Sequence, residues 1–511
     1  MSSLTRRSFL AGAAATAVSV RCSTAPHTIT VDDVSRPDRP NIVLLMCDDL
    51  GYGDTGFNGN EVLRTPSLDR LREEGLRFTR FYAGSPVCSP TRGTCLTGRH
   101  YARYGITHAN RGCLPRQEVT LAEICKRAGY ITGHFGKWHL GTLTKTHKDG
   151  NRGGPDHPEF YAPPWDRGFD VCFSTEALVP TWDPAVTPQE GNNVWGTPGT
   201  PWKCAYWNER GERVTENLDG DDSRVIMDRV VPYIRSAVAD HRPFFAVVWF
   251  HTPHAPVVAG PDYRAIYARY SEAEQHYFGC VTAMDEQVGR LSALLKELHI
   301  EQDTMVWFCS DNGPEGKGAP DDGTRFRGST GGFRGRKRSL FNGGIAVPGL
   351  LKWPRLVRAA STCSAPCSTL DYLPTIADVL EVALPDDRPI DGISLMPLLR
   401  GGETERPRPI PFFFRDSKPL MFDAPTLAML DNRYKVLTNL SATGDEDLCY
   451  DLLEDPFEER NIAPYMREYI SEKRRELRAF IESCRRSHQG ADYPEPYTPI
   501  TDFPDVTGDW G

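Results

Sequence analysis

The sequence predicts an α/β fold in which a large, mostly parallel sheet is flanked by helices. Apolar runs repeatedly end in polar loops, as in NIVLLMCDD, FFAVVWFHTPH and MVWFCSDN. Amphipathic segments such as LAEICKRAGY and DEQVGRLSALLKELHI lie between such runs. Strands that alternate with helices are typical of parallel sheets, and ligands of such sheets bind beyond the carboxyl ends of the strands. The polar loops are therefore the places where function is expected.

The chain of 511 residues begins with the features of an export signal. Arg6 and Arg7 precede a short, Ala-rich apolar run, the arrangement that the twin-arginine export machinery recognises. We expect residues 1–25 to direct the protein to the periplasm or the cell exterior, and the polar residues 26–40 to form a tether. The apolar run is too short to span a bilayer. Lipid attachment at Cys22 is not expected, because an arginine precedes it.

Changes in composition divide the rest of the chain. Residues 41–400 carry the alternating pattern and are predicted to form the main domain, whereas residues 401–511 contain strand-like runs and a charged helix, typical of a small α+β subdomain. Residues 142–222 are rich in Gly, Pro, Trp and His and lack periodicity. A long irregular insertion is usually functional or disordered, and its aromatic content favours an ordered wall on the binding side. The aromatic residues expected in this wall are Trp165, Trp182 and Trp195.

Charge and cysteine content argue against two classes of protein. The formal net charge is −9, so the broad basic surface of a nucleic-acid-binding protein is not expected, and the basic run RGRKRS is interpreted as a solvated loop. The 14 cysteines are scattered through a long chain, unlike those of a small disulfide-rich protein. We interpret most of them as buried, reduced side chains. The sequence leaves one or two disulfides and the oligomeric state open.

Four oxygen-bearing side chains follow two of the predicted strands. Asp48 and Asp49 follow the first apolar run, and Asp311 and Asn312 follow the run MVWFCS. Either pair alone is more typical of a surface turn. Both pairs at strand ends, each followed closely by a glycine, are more consistent with one shared site. Carboxylate and amide oxygens suit Ca²⁺ or Mg²⁺ better than zinc, which prefers nitrogen and sulfur ligands.

Two further loops supply basic side chains to the same expected region. In GHFGKWHLG, an extended backbone would place Lys137 and His139 on one face and Trp138 on the other. A lysine and a histidine that share a face between glycines fit an anion-binding site, although single residues of these types are more often on the surface. In HTPHAP, prolines restrain His251 and His254. One of these histidines is expected to serve the site and the other to pack inside the protein.

The segment SPVCSPTRG places a cysteine at the start of a predicted helix. Ser89 and Pro90 are typical of a helix N-terminus, and Gly98 is expected to end the helix. Cys88 would then lie where backbone N–H groups attract anions, with Arg92 one turn further on. Two chemical interpretations follow: Cys88 is a thiolate of low pKa, or it is converted to a different side chain.

The motif CSPTRG resembles the sulfatase signature Cys-x-Pro-Ser/Thr-Arg. Further blocks resemble sulfatase sequences in their usual order and cover most of residues 40–463, among them NIVLLMCDDLGYGD, GYITGHFGKWHLG, HTPHAP, SDNG, RGRKRSLFNGG, DGISLMPLL and YDLLEDPFEERNIA. The resemblance implies the alkaline-phosphatase-like fold, with a catalytic domain over residues 41–400 and a smaller C-terminal subdomain. It also implies that the protein hydrolyses a sulfate monoester and that a formylglycine-generating enzyme converts Cys88 to formylglycine.

The resemblance assigns the central chemistry to residue 88 and its neighbours. Hydrated formylglycine would attack sulfur with one hydroxyl, and its second hydroxyl would help to expel sulfate. A Ca²⁺ or Mg²⁺ ion, held by the four oxygen-bearing side chains, would polarise the sulfate. The charge that builds up on the sulfate oxygens would be offset by Arg92, Lys137 and Lys337.

Three histidines and one tryptophan complete the expected site. His139 is expected to orient or deprotonate the hydrated formylglycine. His254 holds the family's His-x-Pro position and is expected to contact the leaving oxygen. Contacts with the rest of the substrate are expected from His251 and Trp182.

The sequence departs from the family pattern after Lys337, where Asn342 and Ala346 replace residues that are commonly charged. Loop packing or substrate preference is expected to change there more than the chemistry. Three alternatives to a sulfatase are a phosphomonoester or phosphonate hydrolase of the same superfamily, a non-catalytic protein that binds sulfated glycans, and a thiolate enzyme that uses unmodified Cys88. The aromatic insertion favours a sulfated sugar over a bare aryl sulfate as the substrate.

Overall fold

The computed structural model describes residues 39–109, 111–189, 196–316, 324–415, 425–440, 444 and 446–504. The expected export signal, almost all of the expected tether, and Trp195 lie outside these residues. Within them, no helix combines the length and the apolar character that crossing a membrane requires.

Sixteen strands form three sheets in the described part of the chain. In chain order they are β1 (Asn41–Cys47), β2 (Leu76–Phe78), β3 (Phe81–Tyr82), β4 (Ile131–Lys137), β5 (Val171–Thr175), β6 (Tyr206–Asn208), β7 (Arg213–Val214), β8 (Phe244–Trp249), β9 (Thr304–Ser310), β10 (Gly349–Lys352), β11 (Ser361–Cys363), β12 (Cys367–Ser368), β13 (Ile410–Phe413), β14 (Leu427–Leu430), β15 (Tyr434–Thr438) and β16 (Leu448–Asp451). The α-helices of the same residues are α1 (Pro66–Glu74), α2 (Cys88–Thr97), α3 (Leu121–Arg127), α4 (Asp222–Ala239), α5 (Pro261–Ile266), α6 (Glu272–Glu297), α7 (Asn342–Ile345), α8 (Tyr372–Val379), α9 (Met396–Leu399) and α10 (Arg467–His488).

The largest sheet has ten strands in the order β11-β2-β10-β9-β1-β8-β4-β5-β6-β7. The five strands from β9 to β5 in this order run parallel, and antiparallel strands join them on both sides. β1 lies in the middle, where Leu44 pairs with Val247 of β8 on one side and with Trp307 of β9 on the other. The prediction of a large, mostly parallel mixed sheet is therefore confirmed.

Helices cover both faces of this sheet because its central strands are apolar on both faces. Along β1, Ile42, Leu44 and Met46 belong to one hydrophobic core, and the alternate residues belong to a second core on the opposite face. α2, α3 and α8 contribute to the first core, and α1, α4 and α6 contribute to the second. A capping box formed by Ser271 and Glu274 begins α6.

The C-terminal part forms the predicted small α+β subdomain. β13 to β16 form an antiparallel sheet in which each strand pairs with the next one along the chain. Leu477 and Ile481 of α10 reach the first core of the main domain. Apolar side chains of the C-terminal sheet share a third hydrophobic cluster with Cys88, so this subdomain supports the start of α2.

Residues 142–222 are more regular than the sequence predicted. β5 belongs to the parallel part of the large sheet, and β6 and β7 extend the sheet at its edge. These strands are short, and Gly- and Pro-rich turns separate them, so they leave little periodicity in the sequence.

The cysteines that the structure describes match the expectation of reduced side chains. All 13 are free thiols, and all except Cys363 are buried. Burial raises the pKa of Cys125 well above the usual thiol value. Such residues behave as small apolar side chains rather than as nucleophiles.

Candidate active site

Neighbouring parallel strands bring most of the predicted site residues together at one edge of the sheet. β1, β4, β8 and β9 run in the same direction, so the loops that follow them meet at the carboxyl edge. The side chains that these strands deliver are Asp48 and Asp49 after β1, Lys137 at the end of β4, His251 and His254 after β8, and Asp311 and Asn312 after β9. The first residue of α2, Cys88, lies beside them.

The predicted oxygen ligands form a buried cluster. Each of the four side chains belongs to a residue that is at most 4% exposed. The N–H of Asp49 donates to Oδ1 of Asp311 at 3.2 Å. Nδ2 of Asn312 donates to Oδ1 of Asp49 at 2.7 Å. These hydrogen bonds join the loop after β1 to the loop after β9.

Two oxygen atoms of this cluster have no protein partner among the described residues, namely Oδ1 of Asp48 and Oδ1 of Asn312. Buried polar atoms without partners are rare, because their desolvation is not compensated. A hard cation bound between these oxygens would satisfy both. Burial and the charge of Asp48 also raise the pKa of Asp311 to about 7, since the carboxylates crowd one another. The residues present therefore fit a Ca²⁺ or Mg²⁺ ion.

Two cations pair with the carboxylates from inside the fold. Nζ of Lys137 donates to Oδ2 of Asp48 at 2.5 Å. Arg92 donates from Nε and Nη2 to Oδ2 of Asp311, at 3.1 and 2.7 Å. The guanidinium group of Arg92 also lies 5.1 Å from the ring centroid of Trp249. Both cations are therefore fixed in place beside the carboxylates.

Lys337 reaches the cluster from the loop before α7. Its Nζ lies 2.5 Å from Oδ1 of Asp49 and 3.8 Å from Oε2 of Glu315. Burial alone would lower the pKa of Lys337, but Asp49 and Glu315 help to raise it above its usual range. Glu315, which the sequence did not single out, also pairs with Arg325 and Arg338. This shared carboxylate holds the lysine beside the oxygen cluster.

Cys88 begins α2 and lies against the oxygen cluster. The helix spans Cys88–Thr97, and Gly98 ends it with a left-handed backbone, as the sequence predicted. Sγ of Cys88 lies within 4.8 Å of carboxylate oxygens of Asp48 and Asp311. Burial raises the pKa of the thiol, although two nearby lysines lower it. These surroundings do not favour a thiolate of low pKa.

His254 faces the cluster from the loop after β8. Its Nδ1 donates to the backbone oxygen of Ala255 at 2.7 Å, and its Nε2 lies 3.8 Å from Oδ2 of Asp49. Burial lowers the pKa of His254 to about 4, so the ring is neutral near pH 7. Nε2 is therefore the ring nitrogen of His254 that faces the oxygen cluster.

The expected alternation after β4 is observed only in part. Trp138 is fully buried, and its Nε1 donates to the backbone oxygen of Ala162 at 2.7 Å, as expected for a side chain that faces away. The strand ends at Lys137, and His139 has a left-handed backbone with φ 57°. Nε2 of His139 lies 2.7 Å from Nδ2 of Asn151, and its buried Nδ1 has no partner within the described ranges. Burial lowers the pKa of His139 well below its usual value.

The two predicted substrate contacts have different environments. His251 is fully buried, with Nδ1 2.8 Å from Oδ2 of Asp222 and Nε2 2.7 Å from Oγ1 of Thr175. Both ring nitrogens are engaged inside the protein, so the prediction that His251 contacts substrate is wrong. Trp182 is half-buried, and its ring packs against Gly260. A substrate contact at Trp182 stays a prediction, and the exposed part of its ring is what would make that contact.

Arg152 links the insertion to the start of α2. Its Nη2 donates to Oγ of Ser89 at 3.0 Å and to the backbone oxygen of His139 at 3.2 Å. Its Nε lies 3.2 Å from Oε1 of Glu176, and both residues are buried. The sequence did not predict this pair. Both residues lie within residues 142–222, which lack periodicity, and no local pattern marks an ion pair between separate segments.

Asn342, a departure from the family pattern, connects the start of α7 to the C-terminal subdomain. Its Nδ2 donates to the backbone oxygen of Pro456 at 2.8 Å, and its Oδ1 accepts from Nζ of Lys435 at 3.0 Å. Its N–H donates to Oε2 of Glu458 at 2.6 Å. Lys435 and Glu458 form a fully buried ion pair at 2.7 Å. Asn342 therefore joins this part of the main domain to the C-terminal subdomain, and a change in loop packing relative to the family stays a prediction.

Comparisons with known proteins point to one family. The family model described as Sulfatase matches residues 40–382, and the model described as N-sulphoglucosamine sulphohydrolase, C-terminal, matches residues 331–486. The chain is 30% identical to steryl-sulfatase of Mus musculus over 534 residues, which covers 90% of this chain and 84% of that protein. It is 33% identical to N-acetylgalactosamine-6-sulfatase of Canis lupus familiaris over 386 residues, which covers 73% of this chain and 68% of that protein.

A solved structure shows the same architecture. The crystal structure of Ps i-CgsB in complex with k-i-k-neocarrahexaose superposes on this chain with a TM-score of 0.71. The two sequences are 25% identical, and the superposition covers 86% of this chain and 92% of that one. The similarity therefore extends through the main domain and into the C-terminal subdomain.

Proposed function

The chain belongs to the sulfatase family and is a sulfatase, and we propose that it hydrolyses a sulfate monoester of a carbohydrate through formylglycine made from Cys88. One observation carries the proposal. The start of α2 lies against the buried oxygen cluster, and three cations pair with that cluster. A sulfate group at residue 88 would therefore lie next to the nucleophile, the metal ligands and the positive charges together.

The cations of the chain bind and orient the sulfate. Lys137, Arg92 and Lys337 are already positioned by carboxylates, so little reorganisation is needed when negative charge develops on the sulfate oxygens. The N-terminal N–H groups of α2 add partial positive charge at residue 88. Because these positive groups face the oxygens on which charge develops, they stabilise the transition state more than the bound substrate.

Two groups that the family implies would complete the site. A Ca²⁺ or Mg²⁺ ion, when bound, polarises the sulfate, and the residues that would hold it are Asp48, Asp49, Asp311 and Asn312. Formylglycine, when hydrated, supplies both the attacking hydroxyl and the hydroxyl that helps to expel sulfate. Asn151 holds Nε2 of His139, and the buried Nδ1, which has no partner among the described residues, is the atom that we assign to orienting the nucleophile. His254 presents Nε2 to the leaving oxygen.

The relatives support a carbohydrate as the rest of the substrate. N-acetylgalactosamine-6-sulfatase is named for an amino sugar, and the solved structure of Ps i-CgsB holds k-i-k-neocarrahexaose. Steryl-sulfatase is named for a steroid. A sugar is favoured here because the surface beside the site combines aromatic rings with exposed arginine, whereas a steroid requires continuous apolar surface.

The proposal includes two protein partners, one that modifies Cys88 and one that exports the protein. A formylglycine-generating enzyme must act on Cys88, which is 2% exposed in the folded protein. Conversion is therefore expected before the site closes. Arg6 and Arg7 support later transfer of the folded protein by the twin-arginine machinery to the periplasm or cell exterior.

Rates on matched esters test the proposed reaction. Protein co-expressed with a formylglycine-generating enzyme should hydrolyse p-nitrophenyl sulfate faster than p-nitrophenyl phosphate, and Cys88→Ala should abolish turnover. Cys95→Ala changes another buried cysteine of α2 and should keep most of the rate. A faster phosphate ester would contradict the proposal and favour the phosphomonoester alternative.

A further inference from the structure

Three aromatic side chains stand beside the residues that act on sulfate. Tyr52, Phe333 and Phe457 are here called the aromatic row. We propose that the aromatic row binds a second pyranose ring of the substrate, namely the ring joined to the sulfated one. The inference rests on the proposed function, and it adds that the substrate is an oligosaccharide rather than a single sugar.

The rings of the aromatic row pack against one another. The ring centroids of Tyr52 and Phe333 are 4.8 Å apart, and those of Phe333 and Phe457 are 5.6 Å apart, with interplanar angles of 53° and 45°. Tyr52 and Phe333 are half-buried, whereas Phe457 is 42% exposed. Contiguous exposed apolar surface of this kind often marks a binding site. The packing of the three rings makes that surface rigid.

Two side chains of the aromatic row lie on loops that also carry catalytic groups. Tyr52 is three residues after Asp49, and Phe333 is four residues before Lys337. Phe333 packs against the hydrophobic cluster that contains Cys88. A sugar whose sulfate occupies the cluster of charges would therefore extend its neighbouring ring toward this surface.

Backbone contacts keep the rings in place and uncovered. The N–H of Gly53 donates to the backbone oxygen of Ser329 at 2.9 Å, which joins the two loops that carry Tyr52 and Phe333. Gly331 and Gly332 have left-handed backbones, and a Cβ atom added at either would come within 3.2 Å of a ring of the row. The loop therefore passes the rings without placing side chains over them.

The polar groups around the aromatic row favour a charged sugar. Nη2 of Arg77 donates to the hydroxyl of Tyr52 at 3.1 Å, and its buried Nε lacks a partner in the described part of the chain. Arg334 is exposed, and its guanidinium carbon lies 4.0 Å from the ring centroid of Phe341. A pyranose has C–H groups on its face and hydroxyl, sulfate or carboxylate groups at its edge, so it matches apolar rings flanked by cations. A steroid would desolvate these guanidinium groups without pairing them.

Equilibrium binding tests this inference without relying on turnover. Titration calorimetry of a Cys88→Ala protein measures the Kd of a sulfated carrageenan hexasaccharide, a chondroitin 6-sulfate tetrasaccharide, a steroid sulfate and p-nitrophenyl sulfate. Adding Phe457→Ala should weaken oligosaccharide binding about three- to tenfold, the range that one aromatic contact supports, and leave p-nitrophenyl sulfate unchanged. Phe457→Tyr keeps the ring and should bind as the parent does. Tyr465→Ala removes a ring that is 86% exposed outside the row and is the matched control.

Three results would overturn the inference. The first is that the Phe457→Ala and Tyr465→Ala proteins bind the oligosaccharides with equal affinity. The second is that the Cys88→Ala parent protein binds none of the oligosaccharides. The third is that the steroid sulfate binds more tightly than any oligosaccharide and loses affinity when Phe457 is replaced. Failure of the proposed function would give a different result. In that case the converted wild-type protein would bind the oligosaccharides without hydrolysing them.

Discussion

Residue 88 differs from the other buried cysteines in its neighbours rather than in its exposure. It is 2% exposed, close to the value for Cys95, yet Sγ lies within 4.8 Å of two carboxylates. Burying several charged groups this close together raises the free energy of the folded protein unless ion pairs or a bound ligand compensate the charges. The sequence predicted this neighbourhood because the partners of Cys88 follow strands of one parallel sheet.

Replacing Asp311 tests the metal site at the scale of one residue. Asp311→Ala removes an oxygen ligand and releases Arg92 from its carboxylate. We expect Ca²⁺ affinity to fall by more than the ~10–100-fold that loss of an outer-shell partner costs, and activity to fall with it. Calorimetric titration of Ca²⁺ and of Mg²⁺ into chelator-treated protein measures the affinity.

The matched control removes a carboxylate at the opposite end of the same strand. Asp303 lies just before β9, where it pairs with Arg355. Asp303→Ala should bind the ion and turn over substrate as the wild type does. Full activity of metal-free wild-type protein would show that the oxygen cluster is structural.

Substitutions at the neighbouring residues Lys137 and Trp138 distinguish a catalytic role from a packing role. Lys137→Ala should lower kcat about 10²–10³-fold, the cost of losing one preorganised charge-stabilising group. Trp138→Phe removes the hydrogen bond to Ala162 and should lower the free energy of unfolding by at least about 1 kcal/mol, with a much smaller effect on kcat. Steady-state kinetics and thermal unfolding measure both effects. Equal losses of kcat in the two variants would contradict the assigned roles.

At the scale of elements, loops decide which side chains face the site. Strand alternation predicted the buried position of Trp138, but the orientation of His139 depends on a turn that begins where β4 ends. Only the resemblance to the sulfatase pattern, and not the local sequence HTPHAP, distinguishes His251, which is bonded inside the protein, from His254, which faces the oxygen cluster. The contacts of Arg152 could not be predicted either, because its partner serine is 63 residues away along the chain.

The C-terminal subdomain holds the start of α7 through Glu458, which also forms a buried ion pair with Lys435, and this contact can be tested. Glu458→Gln should leave Lys435 of β15 charged without a counter-ion, and breaking a buried pair in this way typically costs ~3–5 kcal/mol. Because Glu458 also accepts from the N–H of Asn342, we expect a lower kcat together with the lower stability. Thermal unfolding and steady-state kinetics measure the two effects.

Two further variants serve as controls for this element. Glu459→Gln changes the exposed carboxylate next in the sequence and should leave stability and kcat unchanged. The double variant Lys435→Met with Glu458→Gln removes the unpaired charge and should recover much of the lost stability. If Glu458→Gln is as stable as the wild type, the ion pair does not hold the start of α7.

For the whole molecule, the sequence predicted the fold class and the metal-ligand candidates better than the surroundings of the site. Apolar runs mark the central strands and the points where they end, so the parallel part of the sheet could be predicted locally. The edge strands β6 and β7 and the carboxylate of Glu315 could not, because short strands and shared ion pairs depend on contacts between distant segments.

Export is predicted to follow conversion and folding. Because Cys88 is buried in the folded protein, a modifying enzyme should reach it only while the chain is open. Replacing Arg6 and Arg7 by lysine should keep the protein inside the cell with formylglycine already formed. Cell fractionation followed by peptide mass spectrometry measures this. Retained protein with only unmodified Cys88, beside exported protein that is converted, would reverse the order.

Formylglycine made from Cys88 is proposed to be the group that hydrolyses a sulfate ester. Mass spectrometry of the tryptic peptide spanning Phe81–Arg92, taken from preparations of measured activity, tests this claim. We expect the sulfur of Cys88 to be replaced by oxygen, and the converted fraction to rise in proportion to the rate on p-nitrophenyl sulfate. Protein made without a formylglycine-generating enzyme should keep the thiol and be inactive. A fully active preparation whose peptide carries only unmodified Cys88 would contradict the claim.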